Sequence, residues 1–272
     1  MTMPIPRRGV LFAPWLLLAA QAQALPLPDS AQISCFDETS STGSVGPGTP
    51  DPQPATHPGQ DCVYGRSAAD RFDLLSKVGG SGVPGRDYSK IANDGSVLPA
   101  DAQLGSGPGD WACTRDNDTG LIWEIKVDDA NHLRHLSHSY SWYDADPAIN
   151  AGLPGSTAGT GCNGTLPQCH TTAYRDAVNA LPGGLCGATD WRLPDLVELT
   201  TLQLHERFDG SLTYIDPLYF PVSPANNYWS GRPLAGATAT VDGAWTVGFG
   251  TPRNFPVPKT ASRQLRLVRG GQ

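Results

Sequence analysis

An α+β fold, rich in loops and braced by disulfides, is what this sequence predicts, and three observations predict it. Two short helical patterns stand among several short strand patterns in the second half of the chain. Glycine and proline together supply 56 of the 272 residues while only 17% are charged, which suits short elements joined by turns better than a helical bundle. Six cysteines, an even number, all follow an export-like N-terminal segment.

Taken in order, the first segment stands outside the fold. Arg7 and Arg8 precede the apolar run GVLFAPWLLLAA, and Ala22-Gln23-Ala24 fits a small-residue cleavage site. A retained anchor is the rival reading, but the run is short for a bilayer and Pro14 interrupts it. Residues 1–24 are therefore expected to be a signal peptide. No cysteine directly follows to carry a lipid, and no later run is apolar enough to span a membrane. Cleavage would leave 248 residues and, with Arg7 and Arg8 gone, move the formal charge from −7 to −9. A chain this acidic is not a general nucleic-acid binder. The expected address is secreted, periplasmic or cell-surface.

Cys35, Cys62, Cys113, Cys162, Cys169 and Cys186 read as three disulfides in an oxidising compartment. Sequence alone leaves about 15 connectivities open. Local pairing favours Cys35–Cys62 and Cys162–Cys169, which leaves Cys113–Cys186. A metal site is the rival, and the chain has no C-x-x-C to support it.

Residues 25–110 read as a Pro/Gly-rich, partly disordered extension. Within Ser40–Gln60 nine of 21 residues are Pro or Gly, and Val45 is the only large apolar side chain. Residues 79–109 are also expected to be turn-like. The periodic material starts near Trp111, so a domain is placed at 111–272. Thr119–Val127 alternates as a strand with Leu121, Trp123 and Ile125 on one face. Thr171–Gly184 reads as a helix: Tyr174, Ala177, Val178 and Leu181 form one apolar face, Thr171 or Thr172 caps the start, and Pro182-Gly183-Gly184 stops it. In DWRLPDLVEL, Pro194 pushes Leu193 into extended backbone, and Asp195 with Glu198 makes a capping box. Leu196, Leu199 and Leu202 then line a second helix. Strands are expected near 228–230, 244–249 and 264–268.

The fragments TGLIWE, NALPGGLCGATDWRLPDLVELTTL, YWSG, AWTVGFG and LRLVRGG occur in that order from Thr119 to Gly271. Together they resemble the Legionella collagen-like protein C-terminal domain family, over roughly Trp111 to Gly271. CFD at Cys35 and GQDCVYGR at Gly59 look like the upstream extension of some members. The resemblance implies a compact fold similar to C-type lectins and formylglycine-generating enzymes. It also implies, from the founding adhesin, trimer formation and binding of sulfated glycosaminoglycans. This chain departs from that founder in lacking a collagen stalk and in being acidic.

Catalytic patterns are missing. There is no G-x-S-x-G and no phosphate-binding loop; HERFD at His205 has Asp209 where a second zinc-binding imidazole would stand. No enzyme activity and no cofactor are expected. His132, His135 and His138 stand three apart, which suits either a weak metal site or a solvated His-rich loop, and the loop is preferred. RDND at Arg115–Asp118 has calcium-friendly oxygens but equally makes a turn, again the preferred reading. Trp123, Trp191, Trp229 and Trp245 are expected in the core. Tyr140 and Trp142, in SYSWYDAD, are candidates for stacking on a sugar, with packing as the alternative.

The most informative charge pattern is C-terminal. Ala244–Gln272 holds no acid and five cations, Arg253, Lys259, Arg263, Arg266 and Arg269. Arg253, Lys259, Arg263 and Arg266 are the candidate anion-binding set, because a guanidinium fork matches sulfate or carboxylate oxygens. Arg192 and Arg269 are assigned instead to buried ion pairs that hold the fold. The expected function is an exported, non-catalytic, adhesin-like module that binds glycans. A structural or protein-protein role in the envelope is the alternative. The partner is thus a glycan or an envelope protein.

Overall fold

The computed structural model describes residues 28–37, 41–44, 57–80, 82–207, 210–236, 238 and 242–271. The expected signal peptide and most of the Ser40–Gln60 loop lie outside the described residues. The architecture is α+β. A five-stranded antiparallel sheet and a three-stranded one pack with short helices, and a small two-stranded sheet serves the N-terminal part. Among the described residues no helix is long and apolar enough to cross a membrane.

Chain order starts with β1 (Ser34–Phe36) and β2 (Ser41–Ser44), which pair with each other, then α1 (Asp61–Tyr64) and α2 (Arg66–Arg71). The disulfide Cys35–Cys62 ties β1 to α1. The other two bridges are Cys113–Cys186 and Cys162–Cys169, so the pairing favoured by locality is the one formed, and no cysteine is free.

Next come β3 (Tyr88–Ala92), β4 (Val97–Leu98), β5 (Trp111–Asp116) and β6 (Leu121–Glu124). The sheet order is β10-β6-β5-β3-β4, with β10 (Val268–Gly270) closing it from the far end of the chain. The turn-like reading of residues 79–109 is corrected here. Tyr88–Ala92 pairs with both β4 and β5, so part of the presumed extension completes the main sheet. Every residue of β3 is buried, which removes the polar alternation that marks a half-exposed strand. Lys90 fits because its Nζ donates to the Ala102 carbonyl at 2.7 Å and lies 4.0 Å from the Trp111 ring centre. Leu121, Trp123 and Ile125 are buried as expected. RDND is the β5–β6 turn: Asp116 Oδ1 accepts from the N–H groups of Asp118 and Thr119, and Gly120 takes φ +74°.

Helix α3 (Thr171–Asn179) buries Tyr174 and Val178 and ends five residues before the expected Gly184. Its cap is His170, whose Nδ1 accepts from Ala173 N–H at 3.2 Å, rather than Thr171 or Thr172. Both threonine hydroxyls donate instead to the Tyr143 carbonyl. Helix α4 (Leu196–Thr200) starts with the capping box read from sequence: Asp195 accepts from Val197 N–H, and Glu198 accepts from Asp195 N–H at 2.7 Å. The second sheet runs β7 (Asn227–Pro233), β8 (Gly243–Gly248) and β9 (Asn254–Pro258). β9 carries Pro256 and Pro258 and lies at the edge, where missing N–H donors are tolerated. The strand expected at 264–268 is narrower and later, Val268–Gly270, preceded by a bridge between Gln264 and Tyr228.

One core cluster gathers Trp142, Trp191, Trp229, Tyr140 and Tyr174 around the Cys113–Cys186 and Cys162–Cys169 bridges. A second holds Trp111, Trp123, Tyr219, Phe220, Tyr228 and Phe249. Trp245 is half-buried, short of the core position expected.

Candidate functional site: a polar cleft beside a buried cation cluster

The structure divides the C-terminal cations into two groups. Lys259 and Arg266 have no exposed surface. Their place in an anion-binding patch is corrected by what they touch. Lys259 Nζ pairs with Asp242 at 2.8 Å, donates to the carbonyls of Asn150 and Leu153, and lies 4.5 Å from the Trp142 ring centre. Arg266 donates to the Glu124 carbonyl and to Ser223 Oγ, with its guanidinium 5.2 Å from the Phe220 ring centre. A buried cation needs such partners, because desolvation penalises its charge.

Tyr140 and Trp142 are also fully buried, so neither presents a face to a sugar. Trp142 Nε1 donates to the Ser230 carbonyl at 3.0 Å, and the Tyr140 ring packs on Tyr174 at 4.8 Å. The structural set fares better. Trp123, Trp191 and Trp229 are buried; Trp191 Nε1 donates to the Leu185 carbonyl, and Trp229 Nε1 to the Tyr140 carbonyl. Arg192 makes a two-pronged pair with Glu198, 2.7 Å on each side, and its Nη2 donates to the Gly270 carbonyl. Arg269 pairs with Asp190 at 2.7 Å. The pairs exist, but neither is wholly buried: Glu198 is buried while the Arg192 side chain is 40% exposed, and the Asp190 side chain is 63% exposed.

Arg253 and Arg263 remain accessible. Arg263 lines a cleft of about 280 Å³ with Ser137, Ser139, Asn226, Asn227, Ser262 and Gln264. The cleft forms because Arg263 and Tyr140 exchange backbone hydrogen bonds at 3.0 and 2.8 Å, which lays the 262–264 segment beside 137–140. Asn227 opens β7 from the third side, where Gln264 N–H donates to its carbonyl. Arg263 Nη1 donates to the Ser262 carbonyl, while its Nε is buried without a partner. Gln264 Nε2 donates to the Leu136 carbonyl and leaves Oε1 unpartnered. Arg253 is exposed on the β8–β9 turn, which closes on the same end of the molecule: Gly248 N–H donates to the Arg253 carbonyl, and Gly248 lies against the Asn227 amide. Hydroxyl, amide and guanidinium groups thus converge, and every residue that lines the cleft is polar.

Beneath the fold's centre sits a second charged arrangement. Glu124 accepts from Lys126 Nζ at 2.8 Å and from Tyr174 Oη, and its other oxygen accepts from Leu267 N–H at 2.9 Å. Lys126 Nζ also donates to Tyr174 Oη at 2.9 Å. Arg134 Nη1 donates to the carbonyls of Ala112 and Ile125. Burial works against the charge on Glu124, yet Lys126 and Arg134 outweigh it and hold the carboxyl below its usual range. Burial pulls Lys126 down to about 8, with Glu124 opposing and the Arg266 and Arg134 charges adding.

The family is decided by the match of the Lcl C-terminal domain model to residues 112–269. The chain belongs to the Lcl C-terminal domain family. No curated protein and no solved structure matches it. The Lcl C-terminal match begins inside β5, so β3 and β4 complete the sheet from outside it. His132, His135 and His138 lie on turns, not one helix face, and among the described residues no group of three or more His, Cys, Asp or Glu is placed to hold a metal ion. His135 and His138 instead pack edge to face at 5.1 Å, and His132 Nδ1 accepts from Arg134 N–H.

Sequence reasoning found Arg263 and missed the rest of its cleft. Asn226-Asn227, directly before YWSG, and Ser137 and Ser139, just before Tyr140, were the available signals. They are small polar residues at the points where the chain turns inward to the buried Tyr140 and Tyr228.

Proposed function

We propose that this chain is an exported, non-catalytic binding module that recognises glycans carrying acidic substituents, in an adhesin-like role at the cell envelope, and that the Arg263 cleft is where it does so. The observation that carries the reading is the lining: hydroxyls and amides suit sugar hydroxyls, and one guanidinium with a second on the neighbouring turn suits a sulfate or carboxylate. Membership of the Lcl C-terminal domain family supports it, and so do three disulfides, which persist in oxidising compartments. The C-type-lectin-like or formylglycine-generating-enzyme-like architecture implied by the resemblance belongs to the same reading.

Salt-gradient elution of the purified exported protein from heparin, with a plain sulfonate exchanger as control, tests it. Greater retention on heparin than on sulfonate is expected, with Arg253→Glu and Arg263→Glu each lowering the eluting salt on heparin. Flow-through on both columns, or elution unchanged by the two substitutions, overturns the reading.

A further inference from the structure

A second concavity, a groove, borders the buried cluster. It consists of two adjoining cavities of about 370 and 550 Å³ that share Ser106, His132 and Arg134. The floor of the first is apolar, made by Trp111, Ala112, Ile125 and Val222, with Lys126 and Arg134 set into it.

Its walls are fixed. On one side Asp110 accepts from Gly107 N–H at 2.8 Å, and the Asn93 amide donates to the carbonyls of Gly105 and Gly107. On the other side the 181–187 segment is tied down by Cys113–Cys186, and a side chain at Gly187 would come within 2.8 Å of the Asp94 carbonyl. A groove held in this way is ready for a ligand without first having to order itself.

The charge under this groove is unbalanced. Lys126, Arg134 and Arg266 are 3%, 4% and 0% exposed, and they surround a single carboxylate, Glu124. Arg134 Nε is buried without a partner. The remaining groups that face the cluster do not supply the missing negative charge. Tyr174 is a neutral phenol, His132 is held below its usual range by burial and by Arg134, and the side chain of Asp128 is 78% exposed to solvent beside His135. Asp129 is likewise on the exposed rim. Of these cations Lys126 and Arg134 line the groove, with Asp128 and Asp129 at its exposed edge and Asp94 in the second cavity, and a buried guanidinium without a carboxylate partner beside an apolar floor is complementary to an anion with an apolar body.

We propose that this groove binds a small organic anion, its carboxylate or sulfate taken by Arg134 and Lys126 and its apolar body laid on Trp111, Ala112, Ile125 and Val222. The site is independent of the glycan cleft, shares no lining residue with it, and takes a different class of ligand. A carboxylate here would complete the hydrogen bonding that Arg134 lacks. The same charge on a bare sugar would leave the apolar floor unused.

Calorimetric titration of the exported protein with phenylbutyrate, with phenylbutanol as the uncharged analogue, tests the proposal. Saturable binding of the acid is expected, at least about tenfold tighter than the alcohol, since a charge-assisted contact is worth more than a kilocalorie. Ser106→Trp fills the shared part of the groove from an exposed position and should abolish binding while leaving the melting temperature in place. Arg134→Met should also abolish it, but that variant can lose stability along with its carbonyl contacts, so Ser106→Trp decides. Equal affinity for acid and alcohol, binding that survives Ser106→Trp, or no binding of the acid at millimolar concentration would each overturn the assignment. Heparin retention by Arg263 stays unaffected by any of these outcomes.

Discussion

Replacing Glu124 by Gln tests the buried cluster most directly. The carboxylate has no exposed surface and serves three donors, Lys126 Nζ, Tyr174 Oη and Leu267 N–H. Gln keeps the shape but loses the charge, and its NH₂ group must face a donor whichever way the amide is turned. Three buried cations are then left with no carboxylate among them. Breaking a buried pair from one side costs about 3–5 kcal/mol. For a chain of this length about 1 kcal/mol moves the midpoint by roughly 2–4 °C, so a fall of about 6–20 °C is expected in thermal unfolding followed by calorimetry. Lys126→Met should cost less, because it lowers the cation excess and leaves Glu124 beside Arg134 and the Leu267 N–H. Glu124→Gln together with Lys126→Met should cost less than the sum of the two. If Glu124→Gln melts within a degree of the parent, or if Lys126→Met is the more damaging change, the charge accounting for this core is refuted.

Single contacts carry the other predictions. Burial lowers Lys126 from 10.5 to about 8, so between these values the unfolded chain binds the extra proton and stability contributed at this site rises with pH. The melting-temperature advantage of the parent over Lys126→Met should therefore widen from pH 8 to 10, as read by denaturation across that range. Above that, Tyr88, Tyr140 and Tyr174, all held protonated by burial, reverse the trend. Removing Cys113–Cys186 by paired Ser substitution opens a closure of 73 residues and should cost about 4 kcal/mol in urea unfolding. Asp195→Ala deletes the α4 cap and the pair with Arg232, and a loss of about 1 kcal/mol is expected in the same assay.

Legibility followed exposure. The α4 corner was readable because capping is local: Asp195 and Glu198 stand three apart and act on backbone within one turn. The strand at β6 was readable because Leu121, Trp123 and Ile125 recur at a period of two and because the pairing partners are near in sequence. β3 was not, since a strand covered on both faces carries no alternation, and its Lys90 is made tolerable by contacts with Ala102 and Trp111 that local pattern does not encode. The disulfides followed from loop closure, which favours near partners. The C-terminal cations failed for the reason β3 did. A charge count assumes solvent, whereas Arg266 sits between the fully buried Leu265 and Leu267 and lies beneath Phe220 and Tyr228. An arginine flanked on both sides by large apolar residues was the available warning.

The fragments that carry the family resemblance turn out to be mostly scaffold. In DWRLP, Trp191 is pinned to the end of α3 by reciprocal bonds with Asn179, and Arg192 exchanges backbone bonds with Val268 of LRLVRGG. In YWSG, the Trp229 indole holds the Tyr140 carbonyl and the Ser230 carbonyl holds the Trp142 indole. These contacts tie the 140–142 segment to β7 and the 191–192 segment to α3 and β10, and so fix where the intervening loops emerge. Both concavities are lined in large part by those loops: 137–139 and 262–264 at the polar cleft, 104–106 and 181–187 at the groove. The framework therefore specifies position and leaves chemistry to the loops, as expected where sites are grafted on a fold. It follows that exchanging Ser137, Ser139 or Asn226 should alter glycan retention without altering the melting temperature. A change at Trp191 or Trp229 should lower the melting temperature first and retention only as a consequence. Retention that tracks stability across both sets would mean that the loops have no chemistry of their own.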